Sequence, residues 1–428
     1  MAISNIIKTK SNLILIIFYE FFALIFLNYF FIDDSILSIY ITILWIISSY
    51  LMERYHNILD KSKSSFLILI KTFLLSLKIY IIVLLFNSSR FFNTVNGIKY
   101  FAYLFFFIYI FGNLLRKLNN KFKVNFNWVV SDKKIFYKII KDSGIRFSEL
   151  KNHNFINLRD YKSKNNKSNK IIDGLIFNDI TFDKALKENN IKEEITFIKT
   201  IDWIEKYTNR LPVDVLVKEK KYKKYFHNNK NQFTYKIKSL LERLFSFFIL
   251  IISFPLMLIT SFLIFMEDKG PILYKQKRTG INGKIIHIYK LRSMHTNAEK
   301  EGIKWSTYDD ARITKIGKFI RATRIDELPQ LVSVIKGDMS LIGPRPERPE
   351  YDKQLEKEIP LYKLRYLIKP GISGWAQVNY PYGASIEDAK NKLSYDLFYI
   401  KNKSIILEIL ILIKTIKLVF NRQGAIPI

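Results

Sequence analysis

The chain runs to 428 residues, more than one ordinary domain holds, with 49% hydrophobic residues and a formal net charge of +30. Its lysines accompany much Asn, Ile and Phe and are spread along the chain, so the charge does not mark a nucleic-acid partner. Cysteine is absent, which excludes disulfides, thiolate catalysis and Cys-ligated zinc.

Apolar residues crowd the first 115 positions, in four stretches at 12–32, 36–52, 65–86 and 98–115 of about the length that crosses a bilayer. The first follows Lys8 and Lys10, carries Glu20 and lacks a small-residue cleavage site, so it reads as an anchor. Arg54, Lys61, Lys63, Arg116, Lys117, Lys121 and Lys123, set against Asp33, Asp34 and a lone Arg90, place both ends of this bundle (1–119) in the cytoplasm. Glu20, Lys71 and Lys78 fall within the spans, where charge is costly. Snorkelling accounts for Lys71, and Glu20 is expected to pair with Lys78 or another polar group inside the bundle.

Residues 120–217 change to short β-prone runs (Phe126–Val130, Ile171–Phe177, Ile195–Ile198) alternating with helical ones (Lys133–Lys141, Phe182–Asn189, Asp202–Thr208), the pattern of a small α/β domain. Ser131-Asp132-Lys133-Lys134 follows the first strand and no glycine appears before Gly144, so the phosphate-cradling turn of a dinucleotide site is missing. A structural or regulatory domain without cofactor is expected. The basic linker 218–238 suits a solvated tether and contact with anionic headgroups equally.

The apolar run 244–265 is long enough to span. Pro255 sits near its middle, and Lys236, Lys238 and Arg243 precede it while Lys275, Lys277, Arg278 and Lys284 follow. Basic flanks on both sides, with a proline between, predict a kinked helix that enters the membrane and returns. Further on, Ile406, Ile409, Ile413, Ile416 and Phe420 share one helical face opposite Lys401, Ser404, Glu408 and Thr415, as in an interfacial helix.

Between these elements lie the residues with chemistry. Arg324-Ile325-Asp326-Glu327-Leu328-Pro329-Gln330 precedes an apolar segment, so Asp326 is expected to cap a helix with Pro329 in its first turn. Alone, such an acidic pair is an ordinary cap. In Gly343-Pro344-Arg345-Pro346, however, two prolines fix the backbone around a guanidinium suited to phosphate. Lys275-Gln276-Lys277-Arg278 and Lys290-Leu291-Arg292-Ser293-Met294 add cations, each by itself as consistent with a solvated surface. Lys369–Val378 is rich in turn residues, and Asp396, after Lys392-Leu393-Ser394-Tyr395, could equally be a surface cap.

Lys290–Met294, Asp326–Gln330, Gly337–Pro346 and Lys369–Val378 stand in the order typical of bacterial sugar transferases, and the chain resembles their large monotopic phosphoglycosyl transferases. Arg345–Glu350 and Asn379–Gly383 resemble the exopolysaccharide-associated branch. The resemblance implies a mixed membrane protein: a four-helix transmembrane bundle, a Rossmann-like α/β domain, and an α/β catalytic domain (239–428) with a re-entrant membrane helix and interfacial amphipathic helices. It implies transfer of a sugar-1-phosphate from a UDP-sugar to undecaprenyl phosphate at the cytoplasmic face of a bacterial inner membrane. Glucose or galactose is the sugar suggested by the branch.

By the same resemblance Asp326 is the nucleophile, Glu327 binds Mg²⁺, and Lys290, Arg292 and Arg345, with Pro344 and Pro346, hold substrate phosphate. Arg278, Gln330 and Asp396 are additional candidates, and Ser253 and Pro255 form the membrane kink. Self-association and contact with polysaccharide-assembly proteins are left open.

Some positions depart from the pattern. Many relatives carry Lys-Arg and then Asp at the start of the membrane helix, where this chain has Glu242-Arg243 followed by Ser246, and Phe254 separates Ser253 from Pro255. Smaller relatives have Gly-Arg where Asn379-Tyr380-Pro381 stands, so no phosphate-binding arginine is assigned there. A lipid-linked sugar flippase would suit the four spans without needing the acidic pair. A catalytically silent scaffold is the other alternative, and the intact Asp326-Glu327 pair argues against it.

Overall fold

The computed structural model describes residues 11–29, 35–52, 54–55, 65–86, 94–121, 126–146, 150, 153–158, 174–177, 197–219, 222–226, 232–299, 302, 310–380, 383 and 385–420. The chain divides into two compact units, Ile3–Asn125 and Phe126–Ile428.

The first unit holds four helices, α1 (Ser11–Tyr29), α2 (Ser35–Leu51), α3 (Ser65–Phe86) and α4 (Thr94–Lys121). These sit on the four apolar stretches, and all four contribute to one core through Leu24, Trp45, Leu75, Ile79, Tyr100 and Leu104. Phe18, Phe22, Phe26, Tyr40, Tyr103 and Phe106 face outward, so the helices are apolar on both sides. Polar groups are gathered inside instead. Arg54 donates to Glu20 at 2.5 Å, to Thr72 Oγ1 at 3.1 Å and to the Ile108 carbonyl at 3.2 Å, and its guanidinium lies 5.7 Å from the Trp45 ring centroid. A second layer joins Asn28 to Thr42 at 3.2 Å and Tyr100 to Asn28 at 3.1 Å. The partner of Glu20 is therefore Arg54, while Lys78 is exposed. Arg54 is not the loop charge its position suggests, because a carboxylate buried among four helices draws the nearest guanidinium inward.

The second unit begins with a parallel sheet of order β2-β1-β3-β4, formed by β1 (Phe126–Val130), β2 (His153–Asn157), β3 (Gly174–Phe177) and β4 (Phe197–Lys199). Helix α5 (Lys133–Asp142) follows β1, and α6 (Thr200–Thr208) follows β4. Trp128, Phe136, Phe155 and Trp203 fill the core between sheet and helices. At the β1–α5 turn, Asp132 accepts from the Lys134 and Ile135 amides at 2.8 and 3.1 Å, so a carboxylate occupies the helix N-terminus where a dinucleotide fold would seat phosphate. Strand β2 escapes sequence reading because only Phe155 of its five residues is buried. The expected helix Phe182–Asn189 lies outside the described residues.

Two short helices, α7 (Val213–Leu216) and α8 (Lys223–Phe226), lead to α9, a single 36-residue helix from Gln232 to Glu267 that takes up the end of the expected linker. It continues through Pro255 without interruption. Ser246, Thr260 and Ile264 are buried on one stripe, while Leu244, Phe248, Ile252, Phe254, Ile259, Phe262 and Met266 are exposed. Both ends pack on the same body. Glu242 accepts from the Ser340 hydroxyl at 2.7 Å, and Glu267 accepts from the Lys315 and Ile316 amides at 2.7 and 3.0 Å.

That body comprises the hairpin β5 (Leu273–Thr279) and β6 (Ile285–Leu291), helix α10 (Lys315–Thr323), a 3₁₀ turn at Ile325–Gln330, and α11 (Leu331–Lys336). It continues with β7 (Ser340–Ile342), α12 (Pro349–Glu358), a 3₁₀ turn at Tyr362–Leu367, and β8 (Gly371–Ser373), which pairs in parallel with β7. Helices α13 (Trp375–Asn379), α14 (Ile386–Asn402) and α15 (Ile405–Phe420) complete it. On α15 the predicted apolar face is seen, with Ile406, Ile409, Ile413, Ile416 and Phe420 exposed. Of the predicted polar face Glu408 pairs with Lys238 and Thr415 meets Ser373, while Lys401 belongs to α14 and Ser404 precedes α15. The parallel-sheet domain docks on α14, with the Leu211 amide donating to the Ser394 carbonyl at 2.9 Å and Lys401 pairing with Glu205 at 2.6 Å.

Candidate active site

Asp326 and Glu327 sit in the first turn of the 3₁₀ segment. The residue at its start is Arg324, in the left-handed region at φ 57° and ψ 20°, and Asp326 caps no helix among the described residues. The expected cap is thus replaced by a sharp break after α10, which puts two adjacent carboxyl groups on the wall of one cleft. Beneath the turn, Ile325 packs with Ile264 of α9, Leu291 of β6 and Ile320 of α10.

The cleft has a volume of about 620 Å³, and its walls include Asp326, Glu327, Lys290, Arg345, Arg278, Arg292 and Asp396. Residues spread over more than a hundred positions of sequence are thereby brought together. Glu327 takes Arg345 at 2.7 Å, Lys290 at 3.1 Å and Arg324 at 3.3 Å. Burial alone would raise its pKa, but these three cations outweigh it and hold the carboxylate well below the usual range. Asp326, equally buried, accepts no hydrogen bond among the described residues. Burial first, and the neighbouring Glu327 charge second, push it up to about 6 against the pull of Lys290, Arg321 and Arg345. One carboxylate is neutralised and fixed, and the other lines the cleft with no cation at hydrogen-bonding distance among the described residues.

Arg345 is held by its loop. The Gly343 amide donates to the Ser373 carbonyl at 2.8 Å and the Gly371 amide to the Pro344 carbonyl at 2.9 Å, which ties the Gly-Pro-Arg-Pro turn to β8. A Cβ at Gly371 would lie 2.0 Å from the Gly343 nitrogen, so this approach requires glycine. Pro346 presents its carbonyl to Arg278 at 2.9 Å. Lys290 has its pKa lowered by burial, against the opposing pull of Glu327, and Arg345 has its own raised chiefly by Glu327.

Other expected residues are placed differently. Arg292 lines the cleft, but its guanidinium donates to the Asp268 and Ile264 carbonyls at the C-terminus of α9, so its hydrogen bonds hold a helix end. Gln330, the last residue of the 3₁₀ turn, is buried and does not line the cleft, and Ser253 and Pro255 lie on α9 outside it. Asp396 is not a surface cap: it is buried and pairs with Arg365 at 3.3 Å. Arg321, Arg324, Arg365 and Lys392 also line the cleft and went unassigned from sequence, where single cations in a chain of 68 carry no signal.

Residues 233–422 match the bacterial sugar transferase family. The chain is 36% identical over 193 residues to a protein of Bacillus subtilis (strain 168) described as an uncharacterized sugar transferase, and covers 90% of it with 43% of its own length. The chain belongs to the bacterial sugar transferase family. This sugar transferase is also 48% identical over 171 residues to UDP-N-acetylgalactosamine-undecaprenyl-phosphate N-acetylgalactosaminephosphotransferase of Aeromonas hydrophila, covering 40% of each chain. It is 37% identical over 190 residues to UDP-glucose:undecaprenyl-phosphate glucose-1-phosphate transferase of Klebsiella pneumoniae, covering 44% of this chain and 41% of that one. The chain thus spans about two fifths of those two relatives, and the family match at 233–422 contains every residue that lines the cleft.

Proposed function

We propose that this sugar transferase moves a sugar-1-phosphate from a UDP-sugar to undecaprenyl phosphate, starting assembly of an exopolysaccharide or another surface glycan. The observation that carries the reading is the asymmetry of the acidic pair: among the described residues Glu327 is paired with three cations and Asp326 with none at hydrogen-bonding distance. A structural acidic pair gains nothing from a buried carboxyl without hydrogen bonds, whereas a nucleophile needs one.

In the first step an Asp326 carboxylate oxygen attacks the phosphorus that bears the sugar. Its bond to the UMP oxygen breaks, UMP departs with that electron pair, and an aspartyl phosphosugar remains. In the second step a phosphate oxygen of the lipid attacks the same phosphorus, the aspartyl–phosphorus bond breaks, and Asp326 is regenerated with undecaprenyl diphosphate sugar as product. Arg345 and Lys290 offset the repulsion between carboxylate and diphosphate and stabilise charge on the phosphoryl oxygens. Glu327 keeps both cations beside the attacking group. Glu327, with phosphate oxygens completing the set, would hold Mg²⁺ in exchange for part of its pairing with Arg345, Lys290 and Arg324, and the ion would supply further charge neutralisation.

Membrane placement follows from the outward apolar faces of α9 and α15 and from the exposed aromatics of α1–α4. Four spans, and a re-entrant α9 whose two ends share the cytoplasmic side, accommodate these surfaces in a bacterial inner membrane. For the sugar, 48% identity to a relative named for N-acetylgalactosamine, against 37% to one named for glucose, favours UDP-N-acetylgalactosamine over the hexose suggested by sequence motifs. The test is UMP release by the purified protein with undecaprenyl phosphate, Mg²⁺ and a panel of UDP-sugars. Faster release from UDP-N-acetylgalactosamine than from UDP-glucose is expected, and no release from any member would refute the function.

A further inference from the structure

The cleft contains a second arginine whose bonds run to the backbone of the first. Arg365, on the 3₁₀ turn before β8, donates to the Arg345 carbonyl at 2.7 Å and to Asp396 at 3.3 Å from one nitrogen, and to the Tyr362 hydroxyl at 2.5 Å from another. Tyr362 in turn donates to Asp352 at 2.8 Å. Asp352, Tyr362 and Asp396 are 2–3% exposed and Arg365 is 9% exposed, so the four form a buried network on α12, the 3₁₀ turn and α14. Such a network is costly unless its polar groups are satisfied, and a network of this size behind one loop needs a reason.

We propose that Arg365 is a positioning residue for the phosphate clamp, with Asp396 and Tyr362 aiming its guanidinium at the Arg345 carbonyl. This rests on the reading of Arg345 as a phosphate-binding group. The loop's other backbone anchors are the Gly343 and Gly371 amide bonds on the β8 side and the Pro346 carbonyl, which accepts from Arg278 at 2.9 Å. Glu327 holds the Arg345 guanidinium, and among the described residues the Arg365 bond is the one directed to the Arg345 backbone. These anchors hold the peptides on either side and leave the Arg345 carbonyl to Arg365, and a tilt of that peptide would swing a long side chain at its tip. The carbonyl bond removes that freedom, and the guanidinium tip is the part that must meet phosphate oxygens.

The proposal assigns Asp396 a role at one remove from substrate. It also separates two kinds of arginine in the cleft, one that binds and one that aims the binder. If Arg365 acts only through Arg345, the effects of removing them cannot add.

The experiment is a double-mutant cycle on UDP affinity, measured by calorimetry on the full chain in detergent, with Arg365→Gln, Arg345→Ala and the double variant. Arg365→Gln is expected to weaken UDP about tenfold in the wild-type background and less than about twofold when Arg345 is already Ala. Additive losses would mean that Arg365 binds substrate independently, and unchanged affinity in Arg365→Gln would mean that it does not position Arg345; either overturns the proposal. Tyr362→Phe, which removes one acceptor of Arg365 while keeping the ring, repeats the cycle if Arg365→Gln misfolds, with the same non-additivity expected. UDP affinity that does not change in Arg345→Ala would refute the clamp itself, and UMP release by the wild type reports separately on the transferase reading.

Discussion

Asp326 and Glu327 are adjacent in the chain and equally buried, yet the protein drives their carboxyl groups in opposite directions. Burial raises both, and for Glu327 alone Arg345, Lys290 and Arg324 reverse the outcome. The division follows from the 3₁₀ turn, which gives the two side chains different directions in one cleft. It makes the roles of the pair separable by experiment.

Asp326→Asn is expected to lower UMP release by at least about a thousandfold while raising the melting temperature at neutral pH. The folded-state pKa of about 6 lies above the ordinary 3.8, so ionised Asp326 opposes folding above pH 6, and that penalty vanishes as pH falls below 3.8. The stabilisation by Asn should therefore be present at pH 7.5 and lost near pH 4. Calorimetric melts at the two pH values, beside a UMP assay, check both halves.

Single-turnover UMP release should rise with pH through about 6 and then level, because the proposed nucleophile, Asp326, attacks only when ionised. Asp396 is also pushed up to about 6, mainly by burial, against the pull of Arg365. Its protonation would loosen Arg365, so the acid limb should be steeper than one proton allows. In Asp396→Asn the residual rate should follow a one-proton limb, and a wild-type limb of unit slope would count against the second group.

Arg345 and Arg292 are both expected from the resemblance to hold substrate phosphate, but their bonds differ, and so should their variants. Arg345→Lys replaces a planar fork with a point charge and is expected to weaken UDP binding about tenfold or more. Arg292→Lys should leave UDP affinity within about twofold while lowering the melting temperature, since Arg292 holds the Ile264 and Asp268 carbonyls. Calorimetric titration with UDP distinguishes the two.

The acidic pair, the Gly-Pro-Arg-Pro turn and the four apolar stretches were legible because each is local: a dipeptide, a rigid turn, a run of one residue class. What escaped is relational. Arg54 lies just past an apolar stretch and reads as a loop charge, and only the packing of four helices reveals that it answers Glu20 34 residues earlier. Arg365 belongs to no motif, and its meaning comes from a carbonyl 20 residues away. Arg292 shares a motif with Lys290, yet their bonds diverge, to the end of α9 and to Glu327. Asp326 looked like a cap because Pro329 suits a first helical turn, a signal that does not distinguish α-helix from 3₁₀ turn.

Within the first unit, Glu20→Leu and Arg54→Leu should each destabilise the fold, by about 3–5 kcal/mol, because each leaves a buried partner charge uncompensated. The double Leu variant should recover much of that loss. Lys78→Leu should be nearly neutral, since Lys78 is exposed. Denaturation in detergent micelles measures all four, and additive single losses would dismiss the coupling.

The course of α9 in the membrane gives the last expectation. Its 36 residues are enough to cross a bilayer, and Pro255 does not interrupt it, so length alone would permit a crossing. Its two ends argue otherwise. Glu242 is bonded to Ser340 at the start of β7, and Glu267 caps α10, so both belong to one folded body. A crossing would pull them to opposite faces and break one set of bonds. Cysteines at Arg243 and Lys269, in a chain that has none of its own, provide a clean assay in intact cells. Both should resist a membrane-impermeant maleimide until the membrane is opened, and then both should react. Labelling of either from outside would show that α9 crosses, and the catalytic body described here could not then keep both contacts.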